Sequence, residues 1–459
     1  MSNFYRAALS LCFVFSIALA HGETLNGTPP DSTSSIVDKT ASLYMVEEGK
    51  TSFGLGKVRD ALIKFRQASV KDKYSWRAVY WISKCHYKLN NYGLALKYAN
   101  SAMSLGKEKI NDEIYYNLGS TYHRLGNLDT AIINYQLAMD KLTKLRSIEL
   151  QITHNIEQCK FAQEILKNGN SFERIRLSGD LNSGFDDYNV LLTNGGKTIY
   201  FTSRRSNTTG GGLNPDDQLF FEDIYKMEWN AANGEWGNIT NKLGKMNSDG
   251  FESLHYISSD TLSGIITWNN TQMNDVKKTT RVSDICEIKK NNKGTWNSPK
   301  AIKNKSINTS FYDGNATLTA DGNTMYFMTD RKGERSGRDI YYVEKIGKKW
   351  GTAKPLPEQI NTKKHETTPF VTPDGQYLFF SSDGHAGMGG FDVFVCKNLG
   401  GTWSDPVNMG AGVNSVNDDM FFTYSAETKK AYVSGYQITG SKASIDIYEV
   451  DMSTYVFPK

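Results

Sequence analysis

Apolar and polar positions change rhythm once along this chain. From about Ser42 to Leu166 small and apolar residues return at helical spacing. Ala61, Ala95 and Ala131 lie 34 and 36 residues apart, and Ala68, Ala102 and Ala138 repeat the same steps. Phe65 and Tyr135 each follow the first alanine by four residues, and Ala99 interrupts that aromatic series. Ser147–Leu166 reads as one further helix, with Ile148, Ile152, Ile156, Cys159 and Leu166 along one stripe. Beyond Ser171 the rhythm shortens to runs of four to six apolar and aromatic residues between turn signals. The cleanest stretch is Ile360–Thr402. There Tyr377–Ser381 and Asp392–Cys396 read as strands, Asp374-Gly375 as a hairpin turn, and Gly387, Gly389 and Gly390 as a loose connection.

That unit recurs. An Asn-Ser/Thr pair opens each copy at Asn182, Asn247, Asn308, Asn361 and Asn414. An acid follows five positions later, at Asp187, Glu252, Asp313, Glu366 and Asp419. An aspartate then precedes an apolar strand at Asp223, Asp284, Asp339, Asp392 and Asp446, in steps of 61, 55, 53 and 54 residues. Trp236, Trp296, Trp350 and Trp403 close the first four copies and read as core between units. A period of this length with about four short strands is the signature of a β-propeller blade. The fifth copy lacks its last strand before Lys459, while Phe172–Asn182 matches the run from Trp403 to Asn414. The expectation is a ring closed by that N-terminal strand, which removes both open sheet edges. Five blades are favoured over six.

The helical part resembles the tetratricopeptide repeat, with Leu118, Gly119 and Tyr122 at their expected places in the third copy. Three repeats and a capping helix form a short superhelix whose concave face suits a peptide or helix of a partner. The fold class is therefore α+β multidomain, an all-α superhelix followed by an all-β propeller. The divisions are 1–20, 21–40 (Thr-, Ser-, Gly- and Pro-rich, read as flexible), 41–170 and 171–459, with 167–171 as the hinge. Arg6 and the apolar run Ala7–Ala20, ending Ala18-Leu19-Ala20, have the form of a secretory signal peptide. Export to the periplasm, with or without outer-membrane association, is the expected localisation. No later run is long enough for a membrane span.

Charge refines the picture. The net charge is +4, yet residues 41–170 hold 19 Lys+Arg against 12 Asp+Glu, so the arm carries +7 and the rest about −3. A basic arm suits an acidic partner segment better than nucleic acid in an exported protein; scattered solvated charge is the plainer reading. Cys85, Cys159, Cys286 and Cys396 have no metal spacing and read as small buried hydrophobes. No cofactor or metal is implied.

Catalytic motifs are missing: no G-x-S-x-G, H-E-x-x-H, P-loop or dinucleotide-binding glycine pattern occurs. His86, His123, His154, His255, His365 and His385 are scattered. The sharpest chemical candidate is the set Asp187, Glu252, Asp313, Glu366 and Asp419. On the first strand of each blade these acids could ring one mouth of the channel and attract a cation or a basic peptide. The structural alternative is a hydrogen bond to backbone amides that locks neighbouring blades.

The order of a leader, helical repeats and units reading T-P-D-G-x-x-L-F-F-S-S, G-G-F-D-V-F and W-S-D-P-V-N resembles the TolB-like propeller proteins of the Bacteroidota cell envelope, including periplasmic components of type IX secretion. The resemblance covers Ser42–Lys459. It implies a non-catalytic scaffold in type IX secretion, gliding motility or envelope assembly, with envelope proteins as partners. The OmpA-like peptidoglycan-binding domain usual in such relatives does not follow the last blade. The competing expectation is a propeller that binds or processes glycans.

Overall fold

The computed structural model describes residues 34–169, 172–214, 217–269, 283–331, 337–439 and 442–459. The expected signal peptide and part of the expected hinge lie outside them. Eight helices come first: α1 Ile36–Gly54, α2 Val58–Lys71, α3 Trp76–Lys88, α4 Tyr92–Gly106, α5 Glu113–Arg124, α6 Leu128–Lys141, α7 Lys144–Glu149 and α8 Ile152–Asn168. Helix α1 begins six residues before Ser42 because Ser35 caps it, accepting from the Asp38 amide. The single capping helix expected over 147–166 is two helices, broken at the left-handed Gln151. Ile148 consequently leaves the buried stripe and faces solvent, as does Leu166 in the last turn of α8, while Ile152, Ile156 and Cys159 stay inside.

The helical pairs meet at small residues. A Cβ on Gly49 would stand 2.5 Å from the Phe65 ring, and one on Gly119 would stand 2.7 Å from Tyr135. Each glycine thus makes room for the aromatic ring of its pair. In the second pair the small residue has become Ser83, and its hydroxyl donates to the Ala95 carbonyl. The ring opposite has become Ala99. The interruption seen in the sequence is therefore a compensated exchange of volume across one contact.

Five antiparallel sheets follow, each running outward from an inner strand. The inner strands are Asp187–Thr193, Phe251–Ile257, Asp313–Leu318, Glu366–Val371 and Asp419–Ser425. The fifth sheet is completed by Arg174–Arg176, which pairs antiparallel with Tyr448–Val450. The ring closes through the N-terminal strand, as expected from its match to the other fourth strands. Trp296 and Trp403 are buried between blades. Trp236 and Trp350 sit at equivalent seams but stay half-buried.

The Asn that opens each unit clasps the preceding blade. Asn182 accepts from the Ile447 amide and donates to its carbonyl. Asn247 does the same with Ile224, Asn308 with Ile285, Asn361 with Ile340 and Asn414 with Val393. Each clasped residue directly follows one of the recurrent strand aspartates, so two motifs of the linear repeat are halves of one contact. Two residues beyond the inner-strand acid the backbone bulges. Asn189, Asn315, Thr368 and Phe421 are left-handed there, with φ of 46–58°. The amides of Asn189, Asn315 and Phe421 donate to hydroxyls of neighbouring blades, on Ser434, Thr267 and Thr368.

Candidate functional site

The five acids of the expected ring are all fully buried. Each carboxylate folds back on the turn that precedes it. Asp187, Asp313, Glu366 and Asp419 accept from both the amide and the hydroxyl of Ser183, Thr309, Thr362 and Ser415. These amides belong to each acid's own turn; the Asn clasp, one residue before each turn donor, makes the bond to the neighbouring blade. Arginines neutralise three of the acids: Arg205 reaches Asp187 at 2.6 Å, Arg331 reaches Asp313 at 2.8 Å, and Arg174 of the closing strand reaches Asp419 at 2.5 Å. Glu366 takes Ser382 instead. Glu252 takes the Ser248 hydroxyl on one oxygen, and its other oxygen has no partner among the described residues. Burial pushes the Glu366 carboxyl up to about 7 and that of Glu252 up to about 8.

The second aspartate series binds loops. Asp223 accepts from the amide and hydroxyl of Thr209. Asp392 accepts from the Met388 and Gly389 amides. Asp446 departs from the pattern, lying within its strand, Lys442–Asp451, rather than at its start.

The loop that Asp392 shapes is a docking surface. His123 at the end of α5 is buried, and its Nε2 bonds the Met388 carbonyl at 2.8 Å. Arg124 donates to the Val416 carbonyl, and Gln158 of α8 donates to the Gly389 carbonyl. Lys364 meets the His154 ring at 2.8 Å, and Arg59 donates to the Asp217 carbonyl. Met388 and Ala411 share a buried cluster with Leu128, Ala131, Ile156 and Cys159 of the arm. The helical arm thus rests one edge on the propeller face where the inner strands begin. Gly387, Gly389 and Gly390, expected to loosen the connection, fit it closely instead. Added Cβ atoms would lie 2.3 Å from Asp392 Oδ2, 2.4 Å from the Val416 carbonyl carbon and 1.7 Å from Asp418 Oδ1. The dispersed histidines carried no signal of this seam, because His123 and Met388 are 265 positions apart.

A separate belt runs over the first helices of the pairs. Lys84 lies 4.5 Å from the Trp81 ring centre and 5.5 Å from that of Tyr80, and Lys50 lies 5.9 Å from Trp81. Lys141 covers Tyr115, and Arg146 bridges Glu113 and Glu149 at 2.8 Å each. Burial lowers the Lys84 ammonium from its ordinary range. Among the described residues no group of His, Cys, Asp and Glu has the arrangement to hold a metal ion. No helix there is long and apolar enough to cross a membrane.

The family model for the tetratricopeptide repeat matches residues 112–140, the segment of α5 and α6. No curated protein matches the chain. Among solved structures, the type III secretion chaperone SycD of Yersinia enterocolitica, in complex with a peptide of the translocator YopD, is 16% identical; the match covers 28% of this chain and all of that one, with a TM-score of 0.26. A structure described as a glycoside hydrolase is 11% identical over 70% of this chain and 99% of its own, with a TM-score of 0.40. An α-L-arabinofuranosidase of Podospora anserina, in complex with cellotriose, is 10% identical over 61% and 96%, with a TM-score of 0.35. The paired helices and the closed ring of sheets make this chain a tetratricopeptide-repeat-like arm seated on a five-bladed propeller.

Proposed function

We propose that this protein is a non-catalytic scaffold for protein–protein interaction, with the arm as its gripping surface. The observation that carries the reading is the belt of Lys50, Trp81, Lys84 and Tyr115. It joins half-buried aromatic rings to cations along the first helices of the pairs. Such a belt suits an acidic, extended segment of a partner, since rings supply contact area and the ammonium groups supply charge. The propeller then holds the arm rigid and leaves its far face for a second contact. The leader-like N-terminus and the TPDG-type units support an exported setting, in the periplasm or at the outer membrane. Type IX secretion, gliding or envelope assembly is the process we propose.

In-cell crosslinking of the tagged full chain, read by mass spectrometry, tests this. Crosslinks from the arm to envelope proteins that disappear in Lys50→Glu/Lys84→Glu are the expected result. Crosslinks unchanged by that double variant overturn the belt as the gripping surface. Absence of protein crosslinks with co-purifying glycan overturns the scaffold reading in favour of glycan binding or processing.

A further inference from the structure

Two neighbouring seams of the propeller are built alike but filled differently. Between the third and fourth blades Tyr326 of one packs on Trp403 of the other, with ring centres 5.8 Å apart. Between the fourth and fifth, Phe379 and Phe172 hold the equivalent places in one cluster. There the chain's own C-terminal segment lies across the seam. Tyr455 meets Phe172 at 5.7 Å, and Phe457 meets Tyr377 at 4.7 Å and Tyr424 at 5.4 Å. The Tyr377 hydroxyl donates to the Pro458 carbonyl, while Val456 between the two rings is exposed. The seam therefore reads an extended chain with alternate side chains turned inward.

The seam between the third and fourth blades has no such strap among the described residues. Thr324, Tyr326 and Trp403, counterparts of Tyr377, Phe379 and Phe172, line a groove of about 910 Å3 there, with Tyr342 and Pro357. Its other walls, 319–321 and 373–375, directly follow the ends of two inner strands or lie in the turn just beyond. The groove thus opens on the face opposite the arm. The Ala320 amide donates to the Pro373 carbonyl at 2.9 Å and ties these walls together across the seam.

Two features give the occupant its charge. In the second and third blades a lysine of the preceding strand covers the repeated ring, Lys290 over Trp296 at 4.8 Å and Lys345 over Trp350 at 4.7 Å. In the fourth blade Asn398 pairs with Trp403 instead, so that lysine is missing from its place. The charged residues of the groove are all acids: Asp321, Glu344 and Asp374, each exposed. Asp321 and Asp374 also shape their own turns, accepting from Thr319 and Asn323 and from Thr372 and Gln376. Lys345, beside the Asp321 turn, lies over Trp350 and does not line the groove. Glu344 stands where the strapped seam has Lys397, so the charge reverses between the two seams.

We propose that this groove binds an extended segment of a partner protein in which aromatic side chains stand beside Lys or Arg. Its rings take the places that Tyr455 and Phe457 hold in the next seam. Its cation takes the place that Lys290 and Lys345 hold in the second and third blades, among the three acids. The groove rests on the scaffold reading only in giving the face opposite the arm a second contact, and its charge is opposite to that of the arm's belt.

Fluorescence anisotropy of the full chain with labelled peptides tests the groove. The probes are KYVFRK, QYVFQQ without the cations and KAVARK without the rings. We expect KYVFRK to bind at least about fivefold more tightly than either of the others. Glu344→Lys installs the residue type of the strapped seam, and Asn398→Lys restores the lysine of the second and third blades. Each should weaken KYVFRK about five- to tenfold. In the unsubstituted protein, a benzophenone in place of the probe's phenylalanine should crosslink to 319–326 or 398–403, whether or not the variants fold. Lys50→Glu/Lys84→Glu should leave that crosslink in place, so failure here is distinguishable from failure of the arm's belt. No binding of KYVFRK, equal binding of QYVFQQ or KAVARK, affinity unmoved by both variants, or crosslinks only elsewhere would each overturn the proposal. Displacement of the peptide by cellohexaose, or self-association of the chain that Glu344→Lys abolishes, would assign the groove to a saccharide or a second copy and overturn it as well.

Discussion

Glu252 is where the repeat leaves a carboxyl least supported, so its stability effect should depend on pH. Its counterparts Asp187, Asp313 and Asp419 have arginines, and Glu366 has Ser382. Glu252 is as buried as they are but has Ser248 alone among the described residues. Burial therefore holds it protonated up to about pH 8, against about 4.3 in an unfolded chain. The folded state keeps a proton that the unfolded state releases, so this group's contribution is fully present below about pH 4.3 and is lost as pH rises towards 8. At about 1.4 kcal/mol per tenfold of proton affinity, the loss is at most ~5 kcal/mol, and solvent entry and relaxation reduce it to about 3 kcal/mol. Glu252→Gln keeps the shape and removes the titration. Thermal unfolding followed by circular dichroism at pH 5 and pH 9 should place the variant near the unsubstituted protein at pH 5. At pH 9 it should melt higher by roughly 6–12 °C, at about 2–4 °C per kcal/mol. Asp313→Asn is the contrast, because it strips Arg331 of its partner and should destabilise at both pH values. An equal shift for Glu252→Gln at both pH values, or a loss at pH 9, would refute the reasoning.

Arg174→Met should destabilise the ring by about 3–5 kcal/mol, since it leaves the buried Asp419 without its cation; urea unfolding measures it. Asn361→Leu leaves the buried Ile340 amide without its acceptor, while the Ile340 carbonyl keeps the Leu356 amide, and should cost about 1–3 kcal/mol by the same assay. Gly390→Val drives a side chain into Asp418 and towards Arg124, so limited proteolysis should cut 167–171 faster while the propeller core stays resistant. Burial pushes the thiols of Cys85, Cys159, Cys286 and Cys396 up to about 12. Ellman's reagent should leave these four unmodified in the native protein and label them in guanidinium.

Much of the architecture was legible in one dimension because it is a repeat. Equal spacing of Asn, acid, Asp and Trp means equal environments, and the count of copies is the count of blades. The match between Phe172–Asn182 and the Trp403 region revealed the closing strand for the same reason. The alanine steps of the arm were readable because close helix contacts tolerate only small side chains. The break at Gln151 was not readable, since an isoleucine stripe continues across it and a single left-handed residue has no required identity.

The candidate chemistry divides differently. Sequence alone determined that five acids are equivalent, and it offered both a binding ring and a structural lock for them. Only the tertiary structure decided where each carboxylate turns, because Arg205, Arg331 and Arg174 reach their acids from 18, 18 and 245 positions away. Likewise the glycines of 387–390 have the composition of a flexible loop, and what makes them tight is the backbone at Val416–Asp418 and the end of α5. His255 shows the limit most plainly. It stands at the position of Val190, Ala316, Pro369 and Phe422 in the other blades, but the burial of its imidazole depends on how five blades meet around one axis. Periodic contacts repeat with the chain and are written in it; contacts between distant segments depend on closure of the ring and docking of the arm, and these exist only in three dimensions.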